Sequence, residues 1–207
     1  MNTRPSSDPT VVYYDQHAAE FSRGTANLDM SHLYEEFLPH VPEGGRILDA
    51  GCGTGRDASF FKKRGYNVTA FDASRELAAI ASRILGHVVE VMEFAALESF
   101  SEFDGIWACA SLLHLPTSEI DRTLLTLTRA LKSGAILFVS FKYGSVEGYR
   151  DGRFFNDYDE PKFRALLRAH PELSLLKLWK TNDCRPERRD ELWLNAIVRK
   201  GSDVVTR

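Results

Sequence analysis

The 207-residue sequence predicts a doubly wound α/β fold, and three observations carry that expectation. From Arg46 onward, short apolar runs alternate with stretches of helical period, the pattern of a mostly parallel sheet joined by right-handed crossovers. Gly51, Gly53 and Gly55 follow the first apolar run and precede a helical pattern, so a tight strand-to-helix turn with exposed amides opens a cleft. Asp72 closes the next apolar run, where such sheets hold their ligands. Seven strands are expected in one sheet, the last two forming an antiparallel hairpin, with a helical cap ahead of the first.

In chain order, residues 1–10 are polar with Pro5 and Pro9 and are expected to be flexible. Val11 to Phe21 reads as a short amphipathic helix broken at Arg23-Gly24-Thr25. Asp29 is placed to cap a second helix carrying Leu33, Tyr34, Phe37 and Leu38, which ends before Pro39. These two helices form the cap, residues 11–42. Strand one is Arg46 to Asp49, and a helix from about Arg56 to Arg64 stops at Gly65. Strand two is Asn67 to Phe71, after which Ser74 caps a helix whose stripe Leu77, Ile80, Ala81, Ile84 and Leu85 ends at Gly86. Strand three is His87 to Met92, followed by Glu93-Phe94. Strand four runs from Gly105 to Ala110 and leads through Ser111 to His114. A helix then covers Thr117 to Lys132, Gly134 follows it, and strand five is Ala135 to Phe141.

Residues 142–159 are rich in glycine, tyrosine and charge without a sustained period, and read as a functional loop roofing the site. Asp159 starts the last helix, with Phe163, Leu166 and Leu167 inward. Leu173 to Lys180 and Glu191 to Arg199 read as the closing hairpin, and 201–207 as a tail. Residues 11–200 are thus expected to form one domain.

A formal net charge of −3 gives no basic field to attract nucleic acid, and no apolar stretch has the length of a membrane span. The start of the sequence lacks the apolar segment of a signal peptide, so a cytoplasmic location is expected. Cys52, Cys109 and Cys184 are too widely spaced for a disulfide framework or a zinc knuckle, and are expected to be free thiols with no metal site.

Two details bear on the ligand. A dinucleotide fingerprint requires glycine at the position of Arg56. Asp49, just before the turn, repels a phosphate and favours a ligand bearing an ammonium or sulfonium. S-adenosylmethionine (SAM) has the charge and lacks the phosphate. Ile47-Leu48-Asp49-Ala50-Gly51-Cys52-Gly53-Thr54-Gly55 resembles the first motif of the class I SAM-dependent methyltransferases. Its continuation through Arg56-Asp57 is similar to small-molecule methyltransferases, including those related to tellurite-resistance proteins.

Asp72 either accepts hydrogen bonds from the cofactor's ribose hydroxyls or merely caps the following helix. The resemblance implies that Asp49, with Gly51, Cys52 and Gly53, orders the methionine end. It places Ala73 along the adenine face, Glu93 near the exocyclic amine, Phe94 on the ring and the Ala110 carbonyl by the methionine amino group. Arg56 reaches the cofactor carboxylate or pairs with an acid. Tyr14, with Tyr13, closes over the cofactor or packs in the core, and is a catalytic candidate beside His114. His114 is a general base or a packing residue of its turn.

After strand four, Ala110-Ser111-Leu112-Leu113 replaces the Asn/Asp-Pro-Pro-aromatic motif usual in enzymes that methylate exocyclic amines of nucleic-acid bases. A small-molecule acceptor with an O, S, N or oxyanion nucleophile is therefore expected, gripped under the roof by Tyr143, Phe154 and Arg153, with Tyr149 and Phe155 as the roof's other aromatic members. An RNA-modifying enzyme would instead use Lys142, Arg150, Arg153, Arg185 and Arg188 as a phosphate track. A SAM-binding regulator without turnover is the reading from another class. A monomer or weak homodimer is expected.

Overall fold

The computed structural model describes residues 8–202. Helix α1, Pro9–Thr25, begins where Asp8 accepts the Thr10 amide at 2.6 Å and proline takes the first turn. Of the expected flexible start, Asp8 to Thr10 therefore belong to this helix; residues 1–7 lie outside the described part, as do 203–207 of the expected tail. The expected break at Arg23-Gly24-Thr25 does not occur. Thr25 Oγ1 donates to Phe21 O at 2.8 Å and the Ala26 amide reaches Ser22 O, and these last-turn bonds carry the helix past Gly24. Helix α2, Ser31–Phe37, has Asp29 accepting the Ser31 amide at 2.9 Å, and a 3-10 turn, Leu38–His40, takes in Pro39.

Strand β1 is Arg46–Ala50, helix α3 Arg56–Lys63, strand β2 Asn67–Asp72 and helix α4 Arg75–Leu85. Ser74 Oγ accepts the Leu77 amide at the start of α4, and Gly86 ends it at φ 71°. Strand β3 is only Glu90–Val91, shorter than expected, because Ser82 Oγ takes the Val89 amide at 2.9 Å. Strand β4, Phe103–Ala108, stops short of Ala110, whose backbone turns left-handed at φ 52° while its amide bonds Ser140 Oγ at 2.8 Å. Helix α5 is Thr117–Ala130 and strand β5 Leu131–Lys142.

The segment read as an irregular loop is instead a two-stranded hairpin, β6 Glu147–Arg150 and β7 Arg153–Asn156. Its turn residues Asp151 and Gly152 stand at φ 49° and 77°, the geometry an Asp-Gly pair supplies between strands of right-handed twist. Helix α6, Glu160–Arg168, is capped by Asp159 accepting the Lys162 amide at 2.8 Å. Strands β8, Leu173–Asn182, and β9, Leu192–Lys200, are antiparallel as expected.

The seven-stranded sheet has the order β3-β2-β1-β4-β5-β9-β8, with the first five parallel and β9 antiparallel between β5 and β8. Adjacent residues in its central strands bury opposite faces, which is why these strands read as unbroken apolar runs. Ile47, Trp107, Ile136, Phe138 and Ile197 pack with Leu33, Tyr34, Phe37 and Phe61 from α2 and α3. Leu48, Ile106, Leu137, Val139 and Val198 pack with Leu124 and Leu127 of α5 and Phe163 of α6. Trp107 stacks on Phe138 with ring centroids 4.0 Å apart. Among the described residues, no helix is long and apolar enough to cross a membrane.

Candidate active site

The strand order reverses between β1 and β4, and the carboxyl ends of these strands open into a cavity of about 320 Å³. Its floor is the β1–α3 turn. Gly51, Gly53 and Gly55 stand at φ 75°, 56° and 80°. A Cβ on Gly51 would lie 2.6 Å from the Ser111 Cβ, so the turn and the segment after β4 touch only because residue 51 has no side chain.

Two carboxylates tie this floor together. Asp49 is buried, and its Oδ2 accepts the Ala58 amide in the first turn of α3 at 3.0 Å. Burial and the nearby Asp57 push its carboxyl well above the ordinary range. At the end of β2, Asp72 accepts the Gly53 amide at 2.7 Å and the Ser74 amide at 2.9 Å. Withdrawal from water pushes Asp72 up to about 6, although both amides favour its charged form. A carboxylate has about four acceptor sites, so Asp72 retains capacity toward the cavity it lines.

Behind the floor lies a polar cluster that sequence reasoning did not foresee. Asp57 accepts Arg56 Nε at 2.6 Å, the Tyr34 hydroxyl at 2.6 Å and the Trp107 indole N–H at 2.8 Å. Burial alone would raise Asp57, but the Arg56 guanidinium and these donors hold it below the ordinary carboxylate range. Arg56 pairs with an acid, the adjacent buried Asp57, while it also lines the cavity. The other partners of Asp57, Tyr34 and Trp107, come from separations of 23 and 50 residues, beyond any local signal.

The roof is α1 and the β6–β7 hairpin. Asp15 accepts Ser74 Oγ at 2.6 Å and the Glu76 amide at 3.2 Å, docking α1 on the positive end of α4. Thr10 Oγ1 accepts the Phe154 amide at 3.0 Å, and the ring of Tyr13 packs against Gly152. Tyr14 lies 2.9 Å from His114 Nε2, and His114 Nδ1 lies 2.6 Å from the Phe154 carbonyl. A carbonyl only accepts, so Nδ1 carries the proton and Nε2 accepts the Tyr14 hydroxyl. Loss of water pushes His114 down to about 4, so it is a neutral imidazole already spending its lone pair on Tyr14. That geometry favours the packing role for His114 over the general base.

Tyr14, Asp49, Gly51, Cys52, Gly53, Arg56, Asp72, Ala73, Glu93, Phe94, Ala110, His114 and Arg153 all line this one cavity. Tyr143 and Phe154 do not, which corrects the expectation for them. Tyr143 donates its hydroxyl to Glu160 at 2.8 Å and sits under Lys180, while the Phe154 ring packs edge-on against Tyr149. Strand alternation puts Phe155 on the cavity side instead. Arg185 and Arg188, expected only as part of a phosphate track, also line the cavity, as does Lys142. Arg185 is held on Asp183, with Nε 2.8 Å from Oδ1, and Lys142 on Glu191.

These residues fit SAM better than a dinucleotide. Carboxylates occupy the α3 N-terminus, where a pyrophosphate would sit, whereas Asp72 has unspent acceptor capacity for ribose hydroxyls. Ser111 Oγ is buried against the motif turn without a hydrogen-bond partner among the described residues, and a ligand polar group would satisfy it. Sheet order and cavity are those of the class I SAM-dependent methyltransferases, enzymes whose cofactor is SAM. The sequence profile of a family described as a methyltransferase domain matches residues 22–185, and the chain belongs to that family.

Solved structures share the fold. The 1,6-didemethyltoxoflavin-N1-methyltransferase of Burkholderia thailandensis, bound to 1,6-didemethyltoxoflavin and S-adenosylhomocysteine, superposes with a TM-score of 0.74 at 23% identity, over 93% of this chain and 85% of that one. A TehB-like SAM-dependent methyltransferase of Corynebacterium glutamicum gives 0.68 at 21% identity, over 91% and 99%, in line with the kinship implied by the first motif. Among curated sequences, the Bacillus subtilis protein YqeM, provisionally named a methyltransferase, is 31% identical over 150 residues, covering 62% of this chain and 60% of its own length. The chain thus spans less than two thirds of that relative.

Proposed function

We propose that this protein transfers the methyl group of SAM to a small-molecule acceptor held under α1 and β7. One observation carries the reading: α1 is tied across the cavity to His114 through Tyr14 and to β7 through Thr10–Phe154, and the cavity beneath has a volume in the range of small-molecule sites, roughly 300 to 1,000 Å³. The magnesium-protoporphyrin O-methyltransferase of Rhodobacter capsulatus, 32% identical over 110 residues, is a relative whose name carries a small-molecule acceptor.

When bound, SAM supplies a methyl group on a sulfonium leaving group. The chain's own residues then have positioning tasks. Asp72 would accept the ribose hydroxyls, Glu93 and Phe94 would border the adenine, and the Ala110 carbonyl and Asp49 would flank the methionine end, all of them residues that line the cavity. Tyr14, aligned by His114, closes the reacting centre from water. The RNA-modifying reading is weakened, because Lys142, Arg150 and Arg185 of its phosphate track are paired with Glu191, Asp157 and Asp183.

The test is S-adenosylhomocysteine release with a panel of small thiols, acids and oxyanions, set beside bulk RNA at low and moderate salt. Turnover of a small acceptor with little salt dependence is expected. Turnover confined to RNA and collapsing with salt would overturn the reading, and SAM binding without any turnover would favour the regulator.

A further inference from the structure

The cationic side chains that line the cavity are not equivalent. Arg56 is paired with Asp57, Lys142 with Glu191, Arg185 with Asp183, and Arg188 lies 4.0 Å from Glu191. Arg153 has no carboxylate within ion-pair distance among the described residues, and its Nε is buried without a hydrogen-bond partner there. The guanidinium is instead boxed by aromatic faces, 4.6 Å from the ring centre of Tyr13, 5.8 Å from Tyr14 and 5.1 Å from Phe155. Such a box fixes a planar fork in place without neutralising it. A guanidinium N–H buried without a partner is costly, and a half-buried cation left without an acid, where the other cavity cations have one, leaves room for a partner from outside.

The chemistry around Arg153 points the same way. His114 is neutral with its lone pair occupied, and burial raises the Tyr14 hydroxyl, partly opposed by Arg153 itself. Cys52 and Cys109 are thiols pushed up by burial, the latter to about 12. Neither His114 nor Tyr14, the titratable groups of the roof nearest Arg153, is thus set to take a proton near neutral pH, and an acceptor that arrives already ionised needs none taken from it.

We propose that the methyl acceptor is an organic anion whose negatively charged oxygens are gripped by the guanidinium of Arg153. This rests on the methyl-transfer reading above and names the substrate class of the same site. Arg153 is placed on the acceptor side because it shares the roof with Tyr14 and Phe155, whereas Asp72, Ala73, Glu93 and Phe94 line the carboxyl ends of β2 and β3. A bidentate carboxylate is the simplest match to its fork.

The experiment uses the full chain loaded with S-adenosylhomocysteine, and compares benzoate with benzamide and phenylacetate with phenylacetamide by calorimetry. At least one anion is expected to bind about tenfold or more tightly than its neutral amide. Arg153→Gln should erase that preference while SAM affinity stays within about twofold, and Arg153→Lys, which keeps charge without the fork, should retain part of it. Equal binding of every acid and its amide would overturn the proposal. So would a preference that survives Arg153→Gln, or a SAM affinity that falls together with it, since Arg153 would then hold the methionine carboxylate of the donor. Failure of the wild type to bind SAM at all would strike the methyl-transfer reading instead, and is read in a separate titration. Should Arg153→Gln not fold, the Lys variant decides: a full acid-to-amide preference there would overturn recognition by the fork.

Discussion

The floor and the roof of the cavity are built on different length scales. In the floor, Asp72 accepts amides 19 and 2 residues away and Asp49 one 9 residues away. In the roof, Tyr14 meets His114 across 100 residues and Thr10 meets Phe154 across 144. A floor made of local bonds is set once β1, α3 and β2 form, whereas the roof exists only when the N-terminal helix has met the segment after β4 and the β6–β7 hairpin. On the proposed reading, donor binding falls to the part built from local bonds, and acceptor choice and access to the part built from distant ones. The predictions below would break or sharpen that division.

The largest effect is expected at Gly51. A methyl group there meets Ser111 at 2.6 Å on a backbone at φ 75°, so Gly51→Ala should destabilise the chain by about 2 to 5 kcal/mol and abolish SAM binding. Denaturant unfolding with a parallel titration checks it. Wild-type values for both would mean that the turn and the segment after β4 do not touch.

Asp72→Ala comes next, with SAM binding weakened by about 1.5 to 4 kcal/mol through lost ribose bonds while stability changes little. An unchanged affinity would reduce Asp72 to a helix cap. The pH dependence adds a sign. Burial raises Asp72 to about 6 from 3.8, so its contribution to stability is present below the lower value and is lost as pH rises through the upper one. Binding runs the other way, because ribose donors want the ionised form. SAM affinity should fall as pH drops through about 6, and Asp72→Asn should flatten that profile.

Legibility in the sequence follows the same division. The glycine turn, Asp49, Asp72 and the caps at Ser74, Gly86 and Asp159 are short-range signals, and each sits where the pattern placed it. The hairpin at β6–β7 was announced by Asp151-Gly152, a local signal outweighed by the lack of strand alternation around it. The choice of Phe155 over Phe154 needed the strand's register, and that register was hidden while the segment read as a loop. Arg185 and Arg188 reach the cavity only because the β8–β9 connection folds back over it, and the Asp57 cluster needs Tyr34 and Trp107 to arrive from α2 and β4. No windowed reading of the chain contains those separations.

Smaller effects belong to the roof. Tyr14→Phe leaves His114 Nε2 without its donor and should cost about 1 to 3 kcal/mol, with SAM affinity nearly unchanged. His114 is depressed to about 4 from 6.5, so its contribution is present above the higher value and is lost as pH falls through the lower one. The protection of α1 amides, taken relative to their intrinsic exchange rate at each pH, should accordingly fall between pH 6.5 and 4, and should rise at neutral pH when SAM is added. Equal protection of α1 with and without SAM would make it a fixed packing helix.

The smallest effect separates roof from floor most cleanly. At Gly152 the backbone stands at φ 77°, and a Cβ would lie 3.0 Å from the Tyr13 ring, an exposed turn pressed on one side chain that can yield. Gly152→Ala should therefore cost only about 1 to 2 kcal/mol of backbone strain. The strain falls on the turn that sets Arg153 and Phe155, so turnover should drop while the SAM dissociation constant stays within about twofold. A matching comparison of Phe155→Ala with Phe154→Ala should show the larger loss of turnover at Phe155, the residue that lines the cavity. If Gly152→Ala instead weakened SAM binding as much as turnover, the hairpin would be part of the donor site and the division between floor and roof would fail.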